Sequence, residues 1–400
     1  MDSKKEFDSS LKIIAKSSII VFIGLFLAKI FSYLYRLIIA RNYGPESYGL
    51  FSLGLVMVSW LGVFAILGLN DGLLRYFAMM RGKKSSDKNS YLFRKSFSLL
   101  LITGILSGVI LFIFAPTIAN NIFKEPDLEL FLKIFSFGLP LSVIMVVFQS
   151  ALRSYEEVKW HVFIFTILNN FLQVTIIFAL VLFGVNKLAI PISYTAGVFI
   201  VFITALLITK KKIPEVFKKS KNQGNNLFHQ LILYSWPLIF AEIIWKVFKW
   251  TDSFLIGYFQ TATEVGFYNA AIPIAFLLTF SSDLIMQMFI PLINKEYSQK
   301  KMEVVKQLSQ QVGKWLFFIN LPILILLIMF PEWFLTLLFG QEYTVAARAT
   351  QILSLGVIFL SFSGVSTRLI AMAGKSKKLL WNTLVVALIN VALNIFLIPK

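Results

Sequence analysis

The 400-residue chain contains no cysteine, which excludes disulfides, thiolate metal ligands and cysteine nucleophiles. It has two histidines, His161 and His229. Each lies near a predicted helix end with no partner histidine, so no metal centre is expected. Charge is scarce, at 14% of residues against roughly 25% in an ordinary soluble domain. Acidic groups are scarcest: 20 Asp and Glu stand against 38 Lys and Arg, for a formal net charge of +18. No Gly-rich loop of the Lys-Ser/Thr kind occurs, so nothing points to a nucleotide as energy source. Residues 1–10 are polar and mixed in charge, with no short apolar run and small-residue cleavage site, so no removable signal peptide is expected.

What is abundant is apolar sequence. Hydrophobic residues make up 58% of the chain and mean hydropathy is +0.78. A soluble chain of this length cannot hide so much apolar surface, whereas lipid can. Predominantly apolar runs of spanning length fall at 17–40, 48–70, 96–118, 130–152, 161–184, 188–209, 228–251, 265–292, 312–331, 349–371 and 379–399. The sequence therefore predicts an all-α polytopic membrane protein with about eleven spans. The fragment from Trp333 to Phe339 is too short to cross and is expected at the interface.

Basic residues test this map. With the N-terminus placed in the cytoplasm, the connections predicted inside carry 28 Lys and Arg and those predicted outside carry 6. Such alternation is the positive-inside pattern. It predicts a multi-pass protein of the cytoplasmic membrane with its N-terminus in the cytoplasm, and it removes nucleic acid as the reason for the basic charge. The 41 phenylalanines are expected mainly on lipid-facing and packing surfaces. Trp160, Trp236, Trp250, Trp333 and Trp381 fall near span ends, as interfacial belts do.

The chain also repeats itself. Ile39-Ala40 through Tyr48-Gly49-Leu50-Phe51 corresponds to Ile256-Gly257 through Val265-Gly266-Phe267-Tyr268, and the same offset pairs Lys29 with Lys246. Further along, Phe137-Gly138 matches Leu355-Gly356, and Phe114-Ala115-Pro116 matches Met329-Phe330-Pro331. Six predicted helices separate equivalent positions, an even number. The halves should therefore have parallel topology, related by an axis along the membrane normal. The predicted lobes are residues 1–221 (spans 1 to 6) and 222–400 (spans 7 to 11). The mate of the sixth span would fall near 405–426, so a truncated or divergent C-terminus is expected.

Several stretches carry a family resemblance. Arg36 to Phe51, with Arg41, Tyr43, Gly44, Tyr48 and Gly49, resembles the first-helix exit of polysaccharide transporter proteins. Leu67 to Phe77, with a Gly68/Gly72 turn before Arg75, resembles the second-helix exit. Tyr234-Ser235-Trp236-Pro237-Leu238 and Gly266-Phe267-Tyr268-Asn269-Ala270-Ala271 resemble the starts of the seventh and eighth helices. The chain thus resembles the O-antigen and lipid-linked oligosaccharide flippases of the multidrug/oligosaccharidyl-lipid/polysaccharide exporter superfamily, whose members have twelve or fourteen spans. The resemblance implies two six-helix lobes around a V-shaped central cavity, alternating access by rocking, and action as a monomer without a cofactor. It also implies a polyprenyl-phosphate-type lipid carrying a glycan as substrate.

Ionisable groups inside spans cost at least about 2.5–3.5 kcal/mol each at the helix centre on insertion scales, so each is a functional candidate. Lys29 and Arg36 lie seven residues apart on one face of the first helix. Glu242, Lys246 and Lys249 share a face of the seventh, with Asp252 one turn beyond. Through the repeat, Lys29 and Lys246 would present cations at equivalent depth, suited to a (pyro)phosphate headgroup that sheds its hydration on entry. The predicted substrate-binding set is Lys29, Arg36, Lys246, Lys249 and Arg75. The predicted ion-coupling set is Glu242, Asp252 and Asp283, for a proton or Na+. Bland alternatives stand beside these. Glu242 and Lys246 form an i,i+4 pair able to neutralise itself, Arg36 can snorkel to the interface, and Arg75 with Asp71 can serve as an anchor. Asp283 can bridge to lysines of its own lobe. Pro140, Pro191, Pro273 and Pro322 are candidate kinks.

Three functions are weighed. The first is a flippase moving a lipid-linked oligosaccharide, with membrane lipids as surroundings and a gradient as the energy source. The second is an ion-coupled drug or organic-cation antiporter, which the excess of in-span cations disfavours. The third is a membrane glycosyltransferase or polymerase. The short outside segments, where Glu125, Asp127 and Glu129 form no paired constellation, argue against enzyme chemistry.

Overall fold

A computed structural model describes the backbone of residues 2–83, 85–218 and 225–399; the side chains of residues 2–22, 225, 283, 284, 287, 288, 291 and 376 are outside that description. Among the described residues all regular structure is helical. Ten helices among the described residues are long and apolar enough to cross a membrane.

The difference between ten helices and eleven expected spans lies in the first of them. Helix α1 (Asp2–Ile66) runs through both predicted spans. Its apolar part, Ile23–Ile66, is 44 residues, or about 66 Å at 1.5 Å per residue, twice a hydrocarbon core of about 30 Å. The break is Gly44, at φ 76° and ψ 177°, backbone that only glycine adopts readily. Pro45 follows and restarts the helix, as proline does at a first helical position. Two crossings are thus joined by one kinked residue, with no loop between them.

Proline shapes the seventh predicted span in the same way. It divides into α8 (Asn225–Ser235) and α9 (Leu238–Phe259) around Trp236 and Pro237. Between α1 and α8 lie the remaining helices of the first half: α2 (Leu69–Gly82), α3 (Ser86–Thr117), α4 (Leu128–Ser154), α5 (Val158–Val162), α6 (Asn169–Leu182) and α7 (Ala189–Lys212). The second half adds α10 (Ala262–Ala275), α11 (Leu277–Ser298), α12 (Met302–Met329), the short α13 (Pro331–Leu338), α14 (Ala347–Met372) and α15 (Ser376–Leu397).

Contacts group the chain into two compact units. One comprises the residues through Tyr43 together with Leu50–Trp250, the other Gly44–Gly49 with Thr251–Lys400. In the first unit, phenylalanine builds the core: Phe77, Phe131, Phe135 and Phe148 are fully buried. They mesh through ring pairs such as Phe51–Phe135 and Phe93–Phe148. These rings are interior packing, whereas others such as Phe137, Phe183, Phe318 and Phe359 are exposed. The Tyr35 hydroxyl, hydrogen-bonded to Ile190 O at 3.1 Å and Ser193 Oγ at 3.0 Å, ties α1 to α7.

In the second unit, α11, α12 and α14 pack around Phe289, Ile293, Val312, Leu316 and Val365. A polar clamp crosses them. Asn320 accepts from Ser281 at 2.6 Å and donates to Ser361 at 3.2 Å, the kind of interhelical bond that supplies specificity where lipid removes the hydrophobic drive.

The internal repeat is visible as a contact within this unit. A Cβ on Gly49 would collide with the carbonyl of Ala262, and one on Gly266 with the carbonyl of Pro45. Gly49 and Gly266 are repeat equivalents, and Pro45 and Ala262 are separated by the same offset. The contact is therefore reciprocal, as a two-fold relation requires. Tyr48, fully buried, donates to Asn269 O at 3.1 Å beside it.

Candidate functional site

In the first unit the second arm of α1, the start of α2, and α4, α7 and α9 enclose a cavity of about 190 Å³. Its walls are Val58, Val63, Ile66, Leu139 and Val143, with Gly62 and Gly68 leaving space. Ser59, Asn70, Ser142, Tyr194, Glu242 and Lys246 are the polar residues that line it. Tyr194 is held by edge-to-face contacts with Phe51 and Phe135. The Asn70 backbone is held by Ser150, which donates to its carbonyl at 3.2 Å.

Lys246 is half-buried. Among the described residues no ion pair joins it to Glu242, so the i,i+4 pair does not close on itself. Lys249 lies within electrostatic range of both Lys246 and Arg36, and its ammonium stands 5.1 Å from the Trp250 ring centroid. Arg36 and Lys29 are half-buried on α1 and engaged with other groups. Arg36 and Lys246 are thus both electrostatically coupled to Lys249, which is exposed, and of the three Lys246 lines the cavity. Lys29 does not line it.

Arg75 is placed elsewhere. It is exposed on α2, with its guanidinium 4.4 Å from the Tyr234 ring centroid. Hydrogen bonding to the Tyr234 hydroxyl raises its hold on its proton further.

Of the predicted coupling residues, Glu242 belongs to this cavity and Asp252 does not. In the second unit the Asp252 carboxylate accepts from the Tyr268 hydroxyl at 2.7 Å and from the Asn394 amide at 2.5 Å. Asn394 in turn donates to Asn390 at 3.3 Å. Tyr268 also lines a cavity of about 300 Å³ with Gln260 and Glu264. The side chains of Asp283 and its neighbour Gln287 lie outside the described residues. Among the described residues no group of His, Asp or Glu is arranged to hold a metal ion.

Sequence reasoning from charge alone passed over the neutral polar groups. Asn390 and Asn394 stand at i,i+4 in an otherwise apolar span, a legible signal. Tyr268 sat inside a quoted motif without a role. Ser59 and Tyr194 lie in apolar spans where nothing in the local sequence marks them, and Asn70 lay within the Leu67–Phe77 stretch without a role.

The profile of the polysaccharide biosynthesis protein family matches residues 14–296, and that of the MatE family matches 237–396. An uncharacterized membrane protein of Methanocaldococcus jannaschii is 26% identical over 402 aligned residues, covering 94% of this chain and 76% of that protein. A Shigella flexneri protein, whose name assigns it O-antigen transport provisionally, is 22% identical and covers 85% of this chain and 80% of its own length. Among solved structures, a multidrug resistance MATE family transporter of the MOP superfamily in an inward-facing conformation aligns with a TM-score of 0.71. It is 14% identical and covers 95% of this chain and 88% of that one. The fold is that of MATE-like transporters.

Proposed function

The chain belongs to the polysaccharide biosynthesis protein family, and on that premise we propose that this membrane transporter flips a polyprenyl-(pyro)phosphate-linked oligosaccharide across the cytoplasmic membrane. It does so by alternating access, between lobes 1–221 and 222–400, with the N-terminus in the cytoplasm. The observation that carries the reading is the group Arg36, Lys246 and Lys249, with Lys246 opening into a cavity and unpaired with Glu242 among the described residues. Cations maintained at that cost inside spans suit phosphate oxygens, whose hydration they replace. The glycan moves with its phosphate while the lipid tail stays in the bilayer. Asp252, held by neutral donors, is positioned to exchange them for a proton or Na+ and so couple a gradient to the cycle.

A second reading has its own support. The MatE match over 237–396 and the multidrug transporters that share the fold fit an ion-coupled antiporter of organic solutes.

One experiment separates them. Purified protein is reconstituted in liposomes containing a fluorescent polyprenyl-pyrophosphate-linked sugar, and leaflet exposure is read by a membrane-impermeant lectin. Translocation above empty liposomes, lost in Lys246→Ala/Lys249→Ala, supports the flippase. No translocation of lipid-linked sugar, together with gradient-driven uptake of a cationic dye, would establish the antiporter instead.

A further inference from the structure

The composition of the 190 Å³ cavity differs from that of a bare anion site. Its volume is below the roughly 300–1,000 Å³ of pockets that take drug-sized ligands. It can hold one ring and its substituents, not an oligosaccharide and not a large organic cation. Five of its polar lining residues make no side-chain hydrogen bond to protein among the described residues: Ser59, Asn70, Tyr194, Glu242 and Lys246. Ser142 differs, since its hydroxyl is spent on Gly138 O at 3.1 Å. Polar groups beside an apolar-walled space with unspent hydrogen-bonding capacity are available to an occupant that carries matching groups.

The charges order that occupant. Lys246 attracts an anion, and Lys249, within electrostatic range of Lys246 and Arg36, adds to the positive potential. Glu242, one turn from Lys246, repels an anion and accepts hydrogen bonds, which a hydroxyl or an amide N–H can donate. An organic cation would gain Glu242 but meet three positive groups. The neutral set of two hydroxyls and one carboxamide offers both donors and acceptors, which suits a ring carrying several hydroxyls. The Tyr194 ring is fixed by Phe51 and Phe135, so its hydroxyl is presented without loss of side-chain freedom on binding.

We infer that this cavity is a sugar subsite. It takes one pyranose ring with its anomeric phosphate directed at Lys246, and Tyr194, Asn70, Ser59 and Glu242 read the ring substituents. The inference rests on the anionic-headgroup reading above and adds residues that determine which sugar is accepted.

The test uses the full chain in nanodiscs, titrated calorimetrically with four probes: glucose 1-phosphate, N-acetylglucosamine 1-phosphate, inorganic phosphate and methyl glucoside. At least one sugar 1-phosphate is expected to bind about tenfold or more tighter than inorganic phosphate and than methyl glucoside, since two sets of contacts combine. Tyr194→Phe and Glu242→Gln should each reduce that advantage about two- to tenfold, the range for one lost hydrogen bond, and leave inorganic phosphate unchanged. Gly62→Ala supplies a steric variant. An added Cβ there meets only Leu139 Cδ1 at 3.9 Å, so the protein folds while the cavity shrinks, and the sugar advantage should fall again.

Equal binding of sugar 1-phosphates and inorganic phosphate, or an advantage untouched by Tyr194→Phe and Gly62→Ala, overturns the sugar subsite and leaves the anion reading in place. Binding of methyl glucoside with no response to phosphate, or phosphate binding unaffected by Lys246→Ala, overturns the anionic-headgroup reading. No binding of any probe overturns both.

Discussion

Replacing Gly49 or Gly266 with alanine probes the one contact in which the repeat is expressed atom by atom. At either site the new Cβ meets a backbone carbonyl, of Ala262 or Pro45, and a backbone carbonyl cannot swing aside as a side chain can. Overpacking costs about 1–3 kcal/mol, and a clash with a backbone oxygen puts these two sites in the upper part of that range, about 2–3 kcal/mol. Alanine's better helix propensity returns up to about 1 kcal/mol, leaving a net loss of about 1–2 kcal/mol at each position. At roughly 2–4 °C per kcal/mol, the apparent Tm should fall by about 2–8 °C. The chain has no cysteine for thiol dyes but eight tryptophans, so intrinsic fluorescence in detergent is the assay. Gly313→Ala on α12 is the control, because nothing lies within 4 Å of its would-be Cβ. It should be neutral or slightly stabilising. Reciprocity makes a stronger demand. One alanine separates both contacts, so the double variant should cost less than the two singles combined, with a coupling of about 0.5–3 kcal/mol. A Gly49→Ala protein as stable as the Gly313→Ala control, or strict additivity of the pair, would refute the reciprocal contact.

Lys246→Ala and Lys249→Ala should each weaken binding of a lipid-linked pyrophosphate about ten- to a hundredfold, the range for one lost charge-assisted bond, read by microscale thermophoresis in nanodiscs. Arg75→Ala should leave that affinity at the wild-type value, since Arg75 is exposed on α2 and turned onto Tyr234; a loss matching that of Lys246→Ala would put Arg75 in the binding path. Asp252→Asn should abolish stimulation of transport by an imposed proton or Na+ gradient without changing headgroup affinity, and stimulation that persists in the variant excludes Asp252 as the coupling group. Asn320→Ala should lower stability by only about 0.6–1.7 kcal/mol, the span measured for interhelical bonds in membranes. Ser281 and Ser361 retain bonds to Leu278 O and Ile358 O of their own helices. A loss above about 4 kcal/mol would show that the clamp holds more than its two bonds.

The helices were legible because lipid enforces their length and polarity together. A span must be apolar for about 20 residues and must satisfy its own backbone, so a hydropathy scan finds nearly every one. What the scan missed was continuity. It separates 17–40 from 48–70 at the polar run around Arg41 and Glu46, whereas the backbone carries the helix through that run and concentrates the turn in Gly44. Polarity marks where a chain leaves lipid, not whether it stops being helical there. The division at Pro237 was readable, because proline removes a donor and constrains the residue before it. The interior role of Phe131, Phe135 and Phe148 was not. An aromatic residue has the same hydropathy whether it faces lipid or a neighbouring helix, and only the packing distinguishes the two.

The candidate site was legible to the extent that it is charged. Insertion cost singles out Glu242, Lys246 and Lys249, and helical spacing places them on one face. Neither argument reaches Tyr194, Ser59 or Asn70, since a hydroxyl or an amide in a span costs far less than a charge and is often spent within its own helix, as Ser142 is on Gly138. Selectivity needs such inexpensive groups held in register by rigid neighbours. Here the register comes from residues far apart in sequence: Phe51 and Phe135 fix Tyr194, and Ser150 fixes the Asn70 backbone. If the cations set which charge enters and the neutral groups set which sugar follows, the two properties separate by mutation. Lysine variants should lose affinity for every phosphate-bearing ligand alike. Tyr194→Phe should change the order of preference among sugar 1-phosphates at nearly constant phosphate affinity. Loss of all ligands in parallel from Tyr194→Phe would mean that the ring supports the cavity and does not read the substrate.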